Sequence, residues 1–115
     1  MHPLDRLESL PFPERVRAVV RSIPEGMVTS YGAVAAMCGA PRAARGVGSV
    51  MNSLGPDEDV PWWRVVNRLG ELSIPAVLGR RELQRTLLKA EGVRFRRTGR
   101  VNLDLHGWWP EDDED

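Results

Sequence analysis

Cysteine is almost absent from the sequence, which has Cys38 and no other in 115 residues. One cysteine excludes an internal disulfide and a cysteine-rich zinc site, and it fits a reducing compartment. No apolar run approaches the roughly 18 residues of a membrane span, and the N-terminal MHPLDRLESL is too charged for a secretory signal. We therefore expect a soluble, cytoplasmic protein that needs no metal or other cofactor.

Lysine is equally scarce, since the sequence has one lysine, Lys89, and 15 arginines. The formal net charge is zero, but residues 111–115 alone hold five of the 16 acidic side chains. Residues 1–110 therefore carry 16 basic and 11 acidic side chains, which we interpret as one domain followed by an acidic tail. The guanidinium group pairs with phosphate and stacks on bases, so the bias favours nucleic-acid contact. A genome that prefers arginine explains it equally well.

The first half of the chain predicts three short helices. Residues 12–23 carry apolar side chains at helical spacing, and Pro24 ends the run. Residues 25–30 read as a turn in which Ser30 or Thr29 caps a helix over YGAVAAMCG. The next helix opens with Pro41 near its first turn, and the link CGAP makes the pair a helix-turn-helix. The predicted core residues are Val16, Val19, Val20, Ile23, Val47, Val50, Met51 and Leu54.

The second half has a different texture. GPDEDVP predicts a loop, and WRVVNRLGEL predicts two short extended pieces around a turn. RRELQRTLLKAEG is an amphipathic helix that ends at Gly92, and VRFRRTGRVNL indicates a hairpin over RTGR. The fold class expected is therefore mainly α, a winged helix-turn-helix-like domain with a small β hairpin.

Aromatic residues are few, yet two tryptophans adjoin in VPWWRVVNRLG, residues 60–70. Together with IPEGMVTSYGAVAAMCGAPRAARGVGSVMNS and LLKAEGV, this stretch resembles the DNA-binding domain of O6-alkylguanine-DNA alkyltransferases, over residues 12–95. Enzymes of that family carry Pro-Cys-His-Arg-Val, in which the cysteine takes the alkyl group. Here Trp62 stands at the cysteine and Trp63 at its histidine partner, as in the alkyltransferase-like proteins.

The resemblance implies a lesion-binding protein that is not an enzyme. Members of that subfamily flip O6-alkylguanine out of duplex DNA from the minor groove and pass it to nucleotide-excision repair proteins. We expect the same here, in a monomer without a membrane association or a separate N-terminal domain. The alternatives are a winged-helix regulator that reads the major groove without lesion specificity, and an enzyme with an unrecognised nucleophile.

The resemblance also implies roles for individual residues. Tyr31 matches a tyrosine that contacts the phosphate 3′ of the target nucleotide, and Arg45 matches the arginine that fills the gap left by the flipped base. Small residues would let this helix approach the DNA backbone closely. The predicted DNA-binding set is Tyr31, Ala43, Ala44, Arg45 and Gly48. The predicted lesion pocket is Tyr31, Pro61, Trp62, Val65, Ala76 and Leu78.

Some assignments within this site stay open. Ala76, Val77 or Leu78 could offer a backbone N–H to guanine O6, whereas Pro75 has none to give. An asparagine expected to brace the active-site turn is Leu54 here, with Asn52 the nearest candidate.

The tryptophans and the remaining polar residues have structural readings as well. An indole has no basic lone pair and accepts no alkyl group, so Trp62 serves as a wall that packs on the base, while Trp63 points into the core. Cys38 is expected to be buried in its apolar helix. Glu91, at the third relay position, is expected to close the last helix and to bond the Trp63 indole or a nearby backbone group. Trp108 and Trp109 either pack on apolar surface or present a docking patch.

Overall fold

The computed structural model describes residues 7–72 and 79–110. The described part of the chain folds as five helices and a two-stranded sheet, in the order α1 (Phe12–Arg21), β1 (Thr29–Ser30), α2 (Tyr31–Met37), α3 (Ala44–Asn52), a 3₁₀ turn (Trp62–Arg64), β2 (Val65–Val66), α4 (Arg80–Ala90) and α5 (Leu103–His106). This mainly helical architecture confirms the expected fold class. Within the described residues, no helix has both the length and the apolar character that crossing a membrane requires.

The predicted helix-turn-helix pair is present, with α2 capped and ended by the expected residues. Ser30 caps α2, since its Oγ accepts from the Ala33 N–H at 3.0 Å. Gly39, with φ of 80°, turns the chain out of α2, as expected of a left-handed residue after a helix. α1, α2 and α3 pack around one apolar cluster. Its fully buried members include Val16, Val19, Val20, Val34 and Val47.

Two predictions about local structure are wrong. α3 begins at Ala44, three residues after Pro41, because Ala40–Ala43 form a turn closed by the Ala43 N–H on the Ala40 carbonyl at 2.9 Å. Residues Trp62–Arg64 form a 3₁₀ turn instead of an extended piece, with the Arg64 N–H on the Pro61 carbonyl at 3.0 Å. Both stretches satisfy backbone groups locally where the sequence suggested a longer element.

The parallel sheet was not predicted either. Thr29 and Ser30, expected as a turn and cap, pair with Val65 and Val66, and the helix-turn-helix forms the crossover between the two strands. The predicted turn at Asn67–Gly70 does follow β2, with Gly70 at φ of 83°. The sheet thereby fixes the start of α2 beside the segment that carries both tryptophans.

A second apolar cluster lies between the sheet, α4 and the C-terminal hairpin. It comprises Val28, Val66, Leu72, Leu88, Val93 and Val101. The predicted hairpin is confirmed as one antiparallel bridge, Phe95 to Val101, with Gly99 in its turn. Gln84 of α4 is fully buried, and its Nε2 donates to the carbonyls of Trp63 at 3.2 Å and Val65 at 3.0 Å. This side chain fixes α4 against the tryptophan segment.

The C-terminal segment packs back onto the domain. Val28 donates its N–H to the His106 carbonyl at 2.8 Å, and Trp108 donates to the Val28 carbonyl at 2.8 Å. The half-buried Trp108 ring packs against the first apolar cluster, and the Trp109 ring lies against Gly107. Of the two readings of this pair, packing is the one that the structure supports. The predicted acidic tail, residues 111–115, lies outside the described residues.

Candidate DNA-binding and lesion site

Four of the predicted DNA-binding residues line a single groove on the helix-turn-helix. The groove has a volume of about 710 Å³, and its walls include Tyr31, Ala44, Arg45 and Gly48. Arg45 is exposed near the start of α3, and Tyr31 is the first residue of α2, held there by the Ser30 cap. Ala43, the fifth, is the half-buried N-cap of α3 and packs on the first apolar cluster.

The groove also has walls that the sequence did not predict. Asn67, Arg68 and Leu69 come from the turn after β2, and Asn52 comes from the end of α3. Asn67 shapes this turn, since its Oδ1 accepts from the N–H groups of Leu69 and Glu71, both at 2.9 Å. An asparagine followed by a glycine three positions later is a turn signal, but no local signal shows that the turn faces α3.

Gly48 offers a test in which stability and binding change in opposite directions. A Cβ built at Gly48 meets nothing within 4 Å and projects where the groove is open. Gly48→Ala should stabilise α3 by about 0.5–1 kcal/mol, the usual gain over glycine inside a helix. The same methyl group should weaken duplex binding roughly tenfold, because it separates the helix from the DNA backbone. Denaturant unfolding and a fluorescence titration with duplex DNA measure the two effects.

Gly46→Ala is the matched control, since a Cβ there would lie 3.1 Å from Phe12 Cε2, on the core side of α3. We expect this variant to lose stability and to bind DNA as the wild type does once folded. Normal DNA affinity of Gly48→Ala would remove Gly48 from the interface.

Trp62 lines a separate cavity of about 340 Å³. The indole is half-buried on the first apolar cluster, and the Arg80 guanidinium lies 4.8 Å from its ring centroid. A cation at this distance over an indole face is attracted by the ring's quadrupole. The other walls include Leu54, Gly55, Pro56, Val60 and Leu83, none of which was predicted as part of the site.

The loop that closes this cavity is held by polar contacts to α1. Glu58 accepts from Arg17 Nε at 2.7 Å and from the Gly55 N–H at 3.0 Å. Hydrogen bonds from Arg17 and Gly55 hold the pKa of the Glu58 carboxyl below its usual value. Arg21 Nε donates to the Asp59 carbonyl at 3.2 Å. The acidic run that reads as a plain loop in the sequence is therefore tied down beside Trp62.

The two adjacent tryptophans pack on different apolar clusters. Their rings meet edge to face, with centroids 5.9 Å apart and planes at 86°. Trp62 packs on the first apolar cluster, whereas Trp63 packs on the second. Trp63 thus packs inward on the second cluster, as was expected of it, although both tryptophans contribute to the lining of the cavity.

Glu91 collects four donors at the end of α4. Its carboxylate accepts from Trp63 Nε1 at 2.7 Å, from Arg64 Nη2 at 2.7 Å and Nε at 3.1 Å, and from the Gly26 N–H at 2.9 Å. Burial raises the pKa of this carboxyl, but the bonds from Arg64, Gly26 and Trp63 outweigh it and hold the pKa below its usual value. The predicted bond to the Trp63 indole is confirmed, and the ion pair with Arg64 is new.

The remaining predicted pocket residues differ in how accessible they are. Pro61 and Val65 are buried, and Val65 completely so. The backbone of Val65 is engaged within the chain, since its N–H donates to the Trp62 carbonyl and its own carbonyl accepts from Gln84. Tyr31 lines the groove described above. Ala76 and Leu78 lie outside the described residues, as does Val77.

Cys38 is buried at the end of α2, as expected. Burial raises the pKa of its thiol to about 11, against the opposing charge of Arg15. At neutral pH the sulfur is therefore a protonated thiol without a thiolate's reactivity. Across residues 7–72 and 79–110, no three His, Cys, Asp or Glu side chains come together as metal ligands.

These features define a helix-turn-helix protein that has a groove with an exposed arginine and a separate cavity lined by tryptophan. Residues 11–93 match the family model described as 6-O-methylguanine DNA methyltransferase, DNA binding domain, and the chain belongs to that family. The resemblance inferred from the Pro-Trp-Trp-Arg-Val segment is thereby confirmed.

Curated relatives in the family share the whole domain. The chain is 46% identical to the DNA base-flipping protein of Escherichia coli over 97 residues, which cover 84% of this chain and 74% of that protein. It is 36% identical to alkyltransferase-like protein 1 of Schizosaccharomyces pombe, over 86% of this chain and 95% of the relative. The first of these names describes base flipping, and the second describes likeness to alkyltransferases.

A solved structure of a relative has the same fold as the described domain. The crystal structure of S. pombe Atl1 in complex with damaged DNA containing O6-carboxymethylguanine superposes with a TM-score of 0.76 at 36% identity. The match covers 84% of this chain and 94% of Atl1. The described domain therefore has the architecture of a protein that has been crystallised on alkylated DNA.

Proposed function

We propose that this protein binds O6-alkylguanine in duplex DNA, flips the base from the minor groove, and leaves the alkyl group in place. The observation that carries the proposal is the groove on the helix-turn-helix lined by Arg45 and Tyr31, in a domain where Trp62 is half-buried at a cavity of its own. Base-flipping proteins need a flat apolar wall for the base and a side chain to occupy the gap. Relatives named for base flipping, and Atl1 on O6-carboxymethylguanine DNA, support the same reading.

The chemistry of the described side chains supports binding without reaction. Dealkylation needs a thiolate beside a base that takes its proton. Trp62 offers an indole, and the indole N–H of Trp63 already donates a hydrogen bond to Glu91. Cys38 is a buried thiol whose pKa is raised. Glu91 itself is engaged with Arg64 and Gly26. Of the three positions that form the acceptor and its relay in the enzymes, two carry tryptophan here, and the third, Glu91, is held in an ion pair with Arg64.

The roles of the individual side chains follow from their positions. Arg45, exposed on α3, enters the minor groove and stacks in place of the flipped guanine, where its planar cation also pairs with the orphaned base. Tyr31, across the groove, contacts the phosphate whose rotation starts the flip. The side chains of Ala43, Ala44 and Gly48 are small, so the DNA backbone can come close to this helix.

The lesion would be received on the Trp62 side. Pro61 and Val65 flank the 3₁₀ turn that carries the ring, and Ala76 and Leu78, which lie outside the described residues, remain proposed members of the pocket. Recognition at the base edge by backbone groups, which the resemblance implies, belongs to this same proposal. Removing apolar area of the alkyl group from water contributes about 25 cal/mol per Å².

The proposal extends to what happens after binding. A monomer that holds an alkylated base without repairing it marks the lesion for another pathway, and we assign that role to nucleotide-excision repair proteins. We place the protein in the cytoplasm, where a single free thiol such as Cys38 is stable.

Trp62→Ala tests the pocket directly. If the indole packs on the alkylated base, its removal should weaken binding to an O6-methylguanine duplex by about 1–3 kcal/mol, the usual loss for one base–aromatic contact. Binding to the matching guanine duplex should change little. Titration of both duplexes by fluorescence anisotropy gives the ratio of dissociation constants.

Trp62→Phe, which keeps a flat ring, should retain most of the selectivity, and Trp109→Ala controls for loss of a half-buried tryptophan outside the site. Wild-type affinity of Trp62→Ala for both duplexes would reduce Trp62 to filler and move recognition onto Tyr31 and Arg45.

A further inference from the structure

A second cationic depression lies between α4 and the C-terminal hairpin, away from the Trp62 cavity. It has a volume of about 300 Å³, and its walls include Arg81, Arg85 and Arg100, with Thr98 and Gly99 in the hairpin turn. The proposed lesion chemistry uses none of these side chains. Like charges gathered in one depression repel one another, so the arrangement is suited to an anionic ligand.

Two of the three cations along α4 contact an aromatic side chain of the hairpin. Arg81, Arg85 and Lys89 recur every four residues and therefore share one side of the helix. The Arg85 guanidinium lies 4.8 Å, and the Lys89 ammonium 5.9 Å, from the ring centroid of Phe95. Contact with an aromatic face reduces the freedom of both side chains before any ligand arrives. We name Arg81, Arg85, Lys89 and Arg100 the arginine surface.

One acidic side chain faces this depression within the described lining, and it is already engaged. Glu71 Oε2 lies 3.4 Å from Arg100 Nη2, and Glu71 Oε1 accepts from Asn67 Nδ2 at 2.8 Å. Three arginines against one carboxylate leave an excess of two positive charges in the depression. A ligand with several phosphates would satisfy that excess, and the guanidinium fork matches phosphate geometry.

The location of the depression points to duplex DNA as that ligand. The groove of the helix-turn-helix is lined in part by Asn67, Arg68 and Leu69. The chain continues from there into the second depression, which is lined by Glu71 and Leu72. The described domain is 40 Å in its longest dimension, the length of about 12 base pairs at 3.4 Å per pair. A duplex seated in the groove therefore places flanking phosphates within reach of this side.

We propose that the arginine surface binds backbone phosphates of the duplex beside the flipped nucleotide, a contact that depends on neither lesion nor sequence. It rests on the proposed function only in that the groove holds duplex DNA. Its contribution is to overall affinity, since phosphate contacts position a protein without reading the base. Selectivity for the alkylated base stays with Trp62 and its neighbours.

The test uses the double variant Arg81→Gln/Arg85→Gln in the full chain, which leaves the Arg100–Glu71 pair untouched. Its affinity for a duplex of about 16 base pairs should fall roughly tenfold, equally with and without O6-methylguanine. The slope of log affinity against log salt should become shallower by about 1.8, since each phosphate contact contributes about 0.9. Arg94→Gln/Arg97→Gln, two exposed hairpin arginines outside the depression, is the charge-matched control and should change both quantities less.

Duplex length provides a second readout. Shortening the duplex to about 6 base pairs around the lesion should remove most of the difference between wild type and Arg81→Gln/Arg85→Gln, because the flanking phosphates are gone. An unchanged salt slope, or a loss confined to alkylated DNA, would overturn the proposal. Normal DNA binding with impaired capture of an acidic protein would overturn it too. Equal wild-type affinity for both duplexes would count against the lesion function and leave the salt-slope test intact.

Discussion

Glu91→Gln should lower the free energy of unfolding by about 3–5 kcal/mol, the usual cost of removing one charge from a buried ion pair. Arg64 and Glu91 expose only 15% and 10% of their side chains, so the guanidinium left behind is poorly solvated. The glutamine oxygen can still accept from Trp63 or Gly26, but it carries no charge for Arg64. Because Arg64 also donates to the Ile23 carbonyl at 2.9 Å, its disturbance reaches the end of α1.

The pH dependence of that loss has a definite sign. The pKa of Glu91 is held below its usual value, so its contribution is complete above the unfolded pKa of about 4.3 and is lost as the pH falls through the folded pKa. Protonated glutamic acid resembles glutamine in charge. The difference between wild type and Glu91→Gln should therefore shrink on acidification below about pH 4.

Denaturant unfolding between about pH 3 and pH 7 measures both effects. Asp104→Asn is the matched control, since Asp104 pairs with Arg96 at the surface and should contribute only about 0–1 kcal/mol. A Glu91→Gln protein as stable as the wild type at neutral pH would mean that the ion pair does not hold the tryptophan segment.

Arg45→Ala should produce the largest loss of DNA binding, about 3 kcal/mol or roughly a hundredfold in Kd, because unstacking a base costs a few kcal/mol that this side chain offsets. Arg45 is exposed, so the fold should be unaffected. A duplex with 2-aminopurine at the target position should brighten on binding wild type, as the base leaves the stack, and brighten far less with Arg45→Ala.

Two controls separate the shape of Arg45 from its charge. Arg45→Lys keeps the positive charge but not the planar guanidinium group. Compared with Arg45→Ala it should recover attraction to phosphates, but little of the 2-aminopurine fluorescence increase. Arg42→Ala removes an equal charge from the turn before α3, outside the groove, and should flip the base normally. Normal brightening with Arg45→Ala would show that another residue fills the gap.

Local patterns were enough to predict α1, α2 and α4, but not the start of α3 or the short helix α5. Val16, Val19 and Val20 define α1 by their spacing, Ser30 caps α2, and Gly99 turns the hairpin. The parallel sheet was not predicted because strands of two residues are too short to show a periodic pattern. Its pairing of Thr29 with Val65 also spans the whole helix-turn-helix, so no local pattern encodes it.

The structure brings only part of the predicted site together. Matching of motifs placed Tyr31, Arg45 and Gly48 together, and the structure puts all three on one groove. Arg80 over Trp62 and the buried Arg64–Glu91 pair depend on how α4 packs, which sequence separation hides. The stretch around Glu58 was predicted only as a loop, because no local pattern indicates that Arg17 of α1 holds it at the cavity.

The central claim is selective binding of the alkylated base without its repair, and one paired measurement tests it most directly. Two otherwise identical duplexes, one bearing a radiolabelled O6-methylguanine, are titrated with the wild-type protein, and the DNA is then recovered. We expect tighter binding to the alkylated duplex, weaker binding to both as salt rises, and the label still on the DNA. Equal affinity for both duplexes would favour a regulator without lesion specificity, and label on the protein would contradict a non-enzymatic role.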